Sequence, residues 1–67
     1  MKSYNETTHH FRVARVDPLF SDKTMSADDG WCYGDIASAL HALPEVQSEY
    51  PDAFIEKVTV VTTYERW

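Results

Sequence analysis

Apolar and polar residues alternate over two stretches of this chain, and apolar residues recur at helical spacing over a third. From Thr8 to Val16 the run THHFRVARV places Phe11 and Val13 on one face of an extended strand, with Arg12, Ala14 and Val16 on the other. Asp17-Pro18 ends that strand, because proline lacks a donor and restricts the residue before it. The clearest strand is Phe54 to Tyr64, FIEKVTVVTTY. Phe54, Val58, Val60, Thr62 and Tyr64 share one face; Ile55, Lys57, Thr59, Val61 and Thr63 share the other. The first face is the more apolar and is the one expected to carry a helix.

Between the strands, Cys32, Ile36, Leu40 and Leu43 recur at spacings of 4, 4 and 3, which is one helical stripe. Two starts compete for this helix. Ser26 can cap it, with Asp28 and Asp29 in a first turn that favours negative charge. Gly30 and Gly34 weaken that start by about 1 kcal/mol each relative to Ala, so the alternative is a start at Asp35. Pro44 is expected to stop the helix after Leu43. Residues 44–53, with prolines at 44 and 51, read as a polar connection with at most one helical turn over 45–49. Residues 1–7 are polar and read as loose. Leu19 to Met25 is either a short second strand or a loop with Phe20 tucked inward. The result is one small α+β domain over 1–67, β-(β)-α-β, with one helix packed across a two- or three-stranded sheet. A strand–crossover–strand connection predicts parallel long strands. The Ile36/Leu40/Leu43 stripe is expected to pack on Phe54, Val58 and Val60.

Size sharpens this picture. A chain of 67 residues buries only about 60% of the surface its unfolded form exposes. Its lone cysteine, Cys32, excludes an intrachain disulfide. The 43% hydrophobic and 13% aromatic content is that of a folded domain, not an acidic disordered tail. A marginal domain without a staple raises the expectation of a partner or of self-association. With no apolar run of signal-peptide or membrane-span length and a single thiol, the expected setting is cytoplasmic, including the cytoplasm of an infected host.

Charge is segregated. Nine acids and one base lie between Asp17 and Glu56 (−8), against +2 over residues 1–16 and +1 over 57–67, which sum to the net −5. Nucleic-acid binding calls for a strong basic footprint. Here Arg12, Arg15 and Lys57 offer only a modest strip if they meet on the sheet's outer face. No direct nucleic-acid contact and no membrane contact are expected.

Catalytic and metal chemistry find little footing. His9 and His10 are adjacent and so point to opposite faces of a strand, while Cys32 and His41 fall on opposite sides of a helix. None of this matches a zinc spacing, and no metal or other cofactor is expected. Cys32, inside the helical stripe, reads as a buried apolar side chain rather than a nucleophile. There is no phosphate loop, no Ser-His-Asp set and no dinucleotide fingerprint, so the chain does not read as an enzyme.

What stands out is a group of acids and aromatics: Asp28, Asp29, Trp31, Tyr33, Asp35, Glu45, Glu49 and Tyr50. Exposed aromatics within an acidic rim form a plausible interface hot spot. The expected function is a small acidic protein-binding module, of the type of phage and mobile-element inhibitors. It would dock on a basic surface of a host nucleic-acid-processing enzyme such as a polymerase or nuclease. The alternative is a homo-oligomeric accessory protein, a homodimer paired through the Phe54–Tyr64 strand.

Overall fold

A computed structural model describes residues 2–67. The elements are β1 (Ser3–Val16), β2 (Thr24–Ser26), α1 (Ile36–Glu49) and β3 (Phe54–Glu65). The three strands form one sheet in the order β2-β1-β3, with α1 packed against it, so the α+β class holds. Both neighbours run antiparallel to β1, in registers from Ser3↔Glu65 to Ala14↔Phe54 and from Ala14↔Ser26 to Val16↔Thr24. The expectation of parallel long strands is therefore corrected. The parallel pair that the crossover helix joins is β2 and β3, and β1 lies between them.

Residues 1–7 were expected to be loose, yet Ser3–Thr8 belong to β1 and pair with Val60–Glu65. Their face alternation is invisible in sequence because neither face is covered there. β1 stops at Val16, as Asp17-Pro18 dictates. The return to β2 is closed by Asp17 N–H to the Lys23 carbonyl (3.0 Å) and Lys23 N–H to the Phe20 carbonyl (3.0 Å).

The helix begins at the second of the two candidate starts. Asp35 is its N-cap and accepts from the Ser38 N–H at 2.8 Å. It does not end at Leu43. Pro44 sits inside the helix, against its steric preference, because the turns beyond it carry Val46 and Tyr50 onto the sheet. Tyr50 N–H closes on the Val46 carbonyl at 2.8 Å, and Gln47 Nε2 donates to the Ala53 carbonyl at 2.9 Å, tying the helix end to the start of β3.

The sheet-facing stripe of α1 is Ala39, Ala42, Leu43 and Val46, continued by the C-cap Tyr50; Ala39 is wholly buried and the others are half-buried. Ile36 and Leu40 remain 47% and 53% exposed, so the expected stripe is displaced by about one residue around the helix. The sheet face is also the other one. Tyr50 stacks under the Arg15 guanidinium, 4.5 Å from the ring centroid, and Tyr33, on the helix side, pairs with Phe11. Odd-numbered β1 residues thus face the helix, and the register puts Ile55 beside Val13 and Met25 beside Arg15. Phe54, Val58 and Val60 lie on the opposite face. The helix takes the face where Phe11, Val13 and Ile55 cluster at one end, not the face with the longer apolar row.

The core is small: Val13, Ala14, Ala39 and Ala53 are its buried apolar members among the described residues. The Cα radius of gyration is 15.1 Å, against about 11 Å for a compact chain of this length. The excess is the far end of the β1/β3 ribbon, which runs beyond the helix with Tyr4 stacked on Tyr64 at 4.8 Å. Because Val13 and Ala39 lie where helix meets sheet, Val13→Ala should lower stability by about 2 kcal/mol. Ala39→Leu should lower it by about 1–3 kcal/mol through overpacking. Ala37→Leu, on the exposed side, should stay within about 0.5 kcal/mol. Chemical denaturation checks the order, and an Ala37→Leu cost matching that of Ala39→Leu would contradict the packing.

Candidate functional site

The segment between β2 and α1 starts with the capping chemistry that Ser26 advertises. Its Oγ accepts from the N–H groups of Asp28 (3.2 Å) and Gly30 (2.8 Å). A tight turn follows instead of a helix. Asp29 and Gly30 both take positive φ, 50° and 78°, a conformation open to Gly and, among other residues, favoured by Asp and Asn. Trp31 N–H closes the turn on the Asp28 carbonyl at 2.9 Å. The chain then meets β1, where Phe11 and Tyr33 exchange both backbone bonds, at 2.9 and 2.8 Å.

This turn brings Asp28 and Tyr33 together. The Tyr33 hydroxyl donates to Asp28 Oδ2 at 2.5 Å. That bond, partial burial and the negative charges of Asp28 and Glu45 disfavour the phenolate, so the Tyr33 pKa is pushed up to about 12. Across from the pair, one flank of α1 carries Glu45 and Glu49. Asp28, Asp29, Tyr33, Glu45, Glu49 and Tyr50 line a single cleft of about 340 Å³. Six of the eight residues singled out in the sequence thus converge from two separate segments, and no Lys or Arg lines the cleft.

The other two stand apart. Asp35 is engaged as the helix cap, its carboxyl held below the usual range by the Ser38 backbone N–H, with help from the Ser38 hydroxyl and the Ala37 N–H. Trp31 is 64% exposed on the turn, neither on a helix nor folded into the core. Cys32, expected in the core, is exposed in the same loop, its thiol 3.7 Å from the Gly30 carbonyl. The turn accounts for both: with the helix starting at Ile36, Cys32 has no helical face to share.

Arg12, Arg15 and Lys57 do not form one strip. Arg15 and Lys57 lie on the helix side of the sheet and Arg12 on the other, where it forms a side-chain group that sequence reasoning missed. Arg12 pairs with Glu56 at 2.7 Å and also donates to Thr24 Oγ1 at 3.1 Å, while the Thr24 hydroxyl donates to Glu56 at 2.7 Å. Thr24, Arg12 and Glu56 come from β2, β1 and β3, so the group ties all three strands together. Its only sequence signal is the even numbering that puts them on one face once the register is known. The Thr24 hydroxyl and then Arg12 hold the Glu56 carboxyl below its ordinary pKa, against partial burial. His9 Nδ1 lies 3.0 Å from Thr59 Oγ1. Among the described residues no three His, Cys, Asp or Glu side chains converge as metal ligands, and no helix is long and apolar enough to cross a membrane.

Compared with family models, curated proteins and solved structures, the chain matches none. The geometry above is therefore the whole basis for a functional reading.

Two pH limits follow. A lowered Glu56 pKa contributes stability above the ordinary value of 4.5 that is lost as pH falls through the folded-state value. Glu56→Gln should flatten the acid limb of the stability curve. A raised Tyr33 pKa contributes stability below 10 that is lost as pH climbs toward about 12. Tyr33→Phe should flatten the alkaline limb only. Thermal unfolding across pH checks both, and limbs unchanged by either substitution would contradict the assignments.

Proposed function

We propose that the protein is a binding module that docks its acidic cleft on a basic surface of a larger protein. In the sharper form of this reading it is an inhibitor that occupies the nucleic-acid channel of a polymerase or nuclease. The observation that supports it is the convergence of Asp28, Asp29, Glu45 and Glu49 around Tyr33, with no Lys or Arg lining the cleft and the nearest base, Arg15, held over the far member Tyr50. A partner's Arg or Lys entering the cleft would meet carboxylate acceptors and aromatic faces together. Opposite charge at the rim speeds encounter, while a buried aromatic slows departure. Trp31, on the adjoining turn, is the aromatic available for that role. The chain's net charge of −5 repels nucleic acid itself, which favours a protein as the target.

The test starts from proteins retained by the immobilised chain and then purified. Changing Asp28 and Asp29 to Asn, with Glu45 and Glu49 to Gln, should slow association by about tenfold or more at low salt and flatten its salt dependence. Trp31→Ala should instead speed dissociation, costing about 2 kcal/mol of affinity. Wild-type kinetics in both variants would exclude this surface.

A further inference from the structure

The face of the molecule away from the acidic cleft is the outer edge of β3. In an antiparallel strand the N–H and C=O of one residue point to the same side. Phe11 spends both of its groups on Tyr33, and Val13 its carbonyl on the Ala27 N–H, so the even residues of β1 face β3. Their partners, the even residues of β3, point back at β1. The odd residues, Ile55 to Glu65, therefore direct their backbone groups outward, and among the described residues no strand pairs with them. Sheet edges of monomers are blunted by charge, proline or bulges. Between Lys57 and Glu65 this one runs Val58-Thr-Val-Val-Thr-Thr-Tyr64 with none of these. The free edge of β1, at Ser3 to His9, is polar apart from Tyr4, which is stacked on Tyr64.

Apolar surface borders the β3 edge on the helix side. Ile36, Leu40, Leu43 and Gln47 follow at i, i+4, i+7 and i+11 and form one row of α1. Gln47 reaches Ala53, just before β3, whereas the opposite row of Ala42, Glu45 and Glu49 lines the cleft beside Tyr33. The half-exposed Ile36 and Leu40 thus overhang the β3 side of the sheet, and farther along the strand, beyond the helix, Val61 on the same face is 61% exposed. Total exposed area is 5447 Å², against about 4300 Å² for a compact monomer of this mass. The surplus, about 1100 Å², exceeds the roughly 800 Å² that each partner contributes to a stable interface.

We propose that the occupant of this edge is a second copy of the chain, with β3 pairing antiparallel to β3 about a two-fold axis at Val61. The two three-stranded sheets join into one. A two-fold perpendicular to the sheet keeps like faces together and makes an isologous contact. Centred on Val61, it sets Thr59 opposite Thr63, Val58 opposite Tyr64 and Lys57 opposite Glu65, twice over by symmetry. Past the end of β3, Arg66 then comes opposite Glu56 and Trp67 opposite Ile55, close to the overhanging helix row. Centred on Val60 or Thr62, Lys57 and Glu65 lose each other. The charges thus select the register. The proposal is independent of the acidic cleft, which stays open on the far flank of each copy.

Light scattering on the full chain between about 1 and about 100 μM should give twice the 7.7 kDa chain mass. Lys57→Glu opposes like charges at both ends and should weaken the dimer at least about tenfold. Lys57→Glu with Glu65→Lys should restore it, which a loss of folding or a change in net charge would not do. Val61→Pro removes only an outward donor and should give a folded monomer by circular dichroism. If that variant fails to fold, the charge pair decides alone. A wild-type monomer throughout the range, or a dimer indifferent to Lys57→Glu, overturns the proposal, and so does failure of the reversed pair to restore it.

Discussion

The antiparallel ladder between β1 and β3 is the interaction on which the rest depends. It engages β3 along its length, from Phe54 to Glu65, and gives the molecule its long axis of 51 Å. The helix covers only the Phe11–Arg15 end of this ribbon. Everything buried, from Val13 to Ala53, lies at that end. At the other end the backbone bonds of the two strands and the Tyr4–Tyr64 stack hold the ribbon without a core beneath it. A two-stranded ribbon is marginal in water unless a further layer or strand supports it, so the architecture itself asks for a neighbour.

The two long sides of the sheet then differ in character. On the β2 side, the Asp29-Gly30 turn and the cleft-facing row of α1 assemble carboxylates around Tyr33. On the β3 side, the opposite row of the same helix presents Ile36 and Leu40 beside a strand edge that is uncharged from Val58 to Tyr64. One helix thus separates an electrostatic flank from an apolar one, and the Arg12–Glu56–Thr24 group on the other face locks the three strands that set both. Joined through β3, two chains would carry their acidic clefts at the outer ends of one sheet, where each is free to meet a partner.

Local chemistry was legible in the sequence, and long-range placement was not. Asp35 as a cap, Asp17-Pro18 as a stop and the alternation after Phe54 are read from neighbours alone, and the structure has all three. The acidic and aromatic group at 28–50 was likewise visible as composition, although only the positive φ of Asp29 and Gly30 explains how it closes into a cleft. What failed required tertiary knowledge. Pro44 sits mid-helix because Val46 and Tyr50 pack beyond it. Ser3–Thr8 form a strand because Val60–Glu65 pair with them, not because of any burial pattern. Leu40 matched a helical period as well as Ala39 did, and the smaller residue took the buried position where helix and sheet approach closely. The strand faces were assigned by counting apolar residues, whereas the helix covers only one end of the sheet and chooses by what stands there.

Residue-resolved amide hydrogen exchange along β3, followed as a function of protein concentration, tests the central claim most directly. Val58, Val60 and Thr62 donate toward β1, so their amides should be protected at every concentration. Thr59, Val61 and Thr63 donate outward and should gain protection only as concentration rises and a second chain covers the edge. Rapid exchange at Thr59, Val61 and Thr63 at all concentrations would contradict the pairing of two copies, and rapid exchange at Val58, Val60 and Thr62 would contradict the ladder itself.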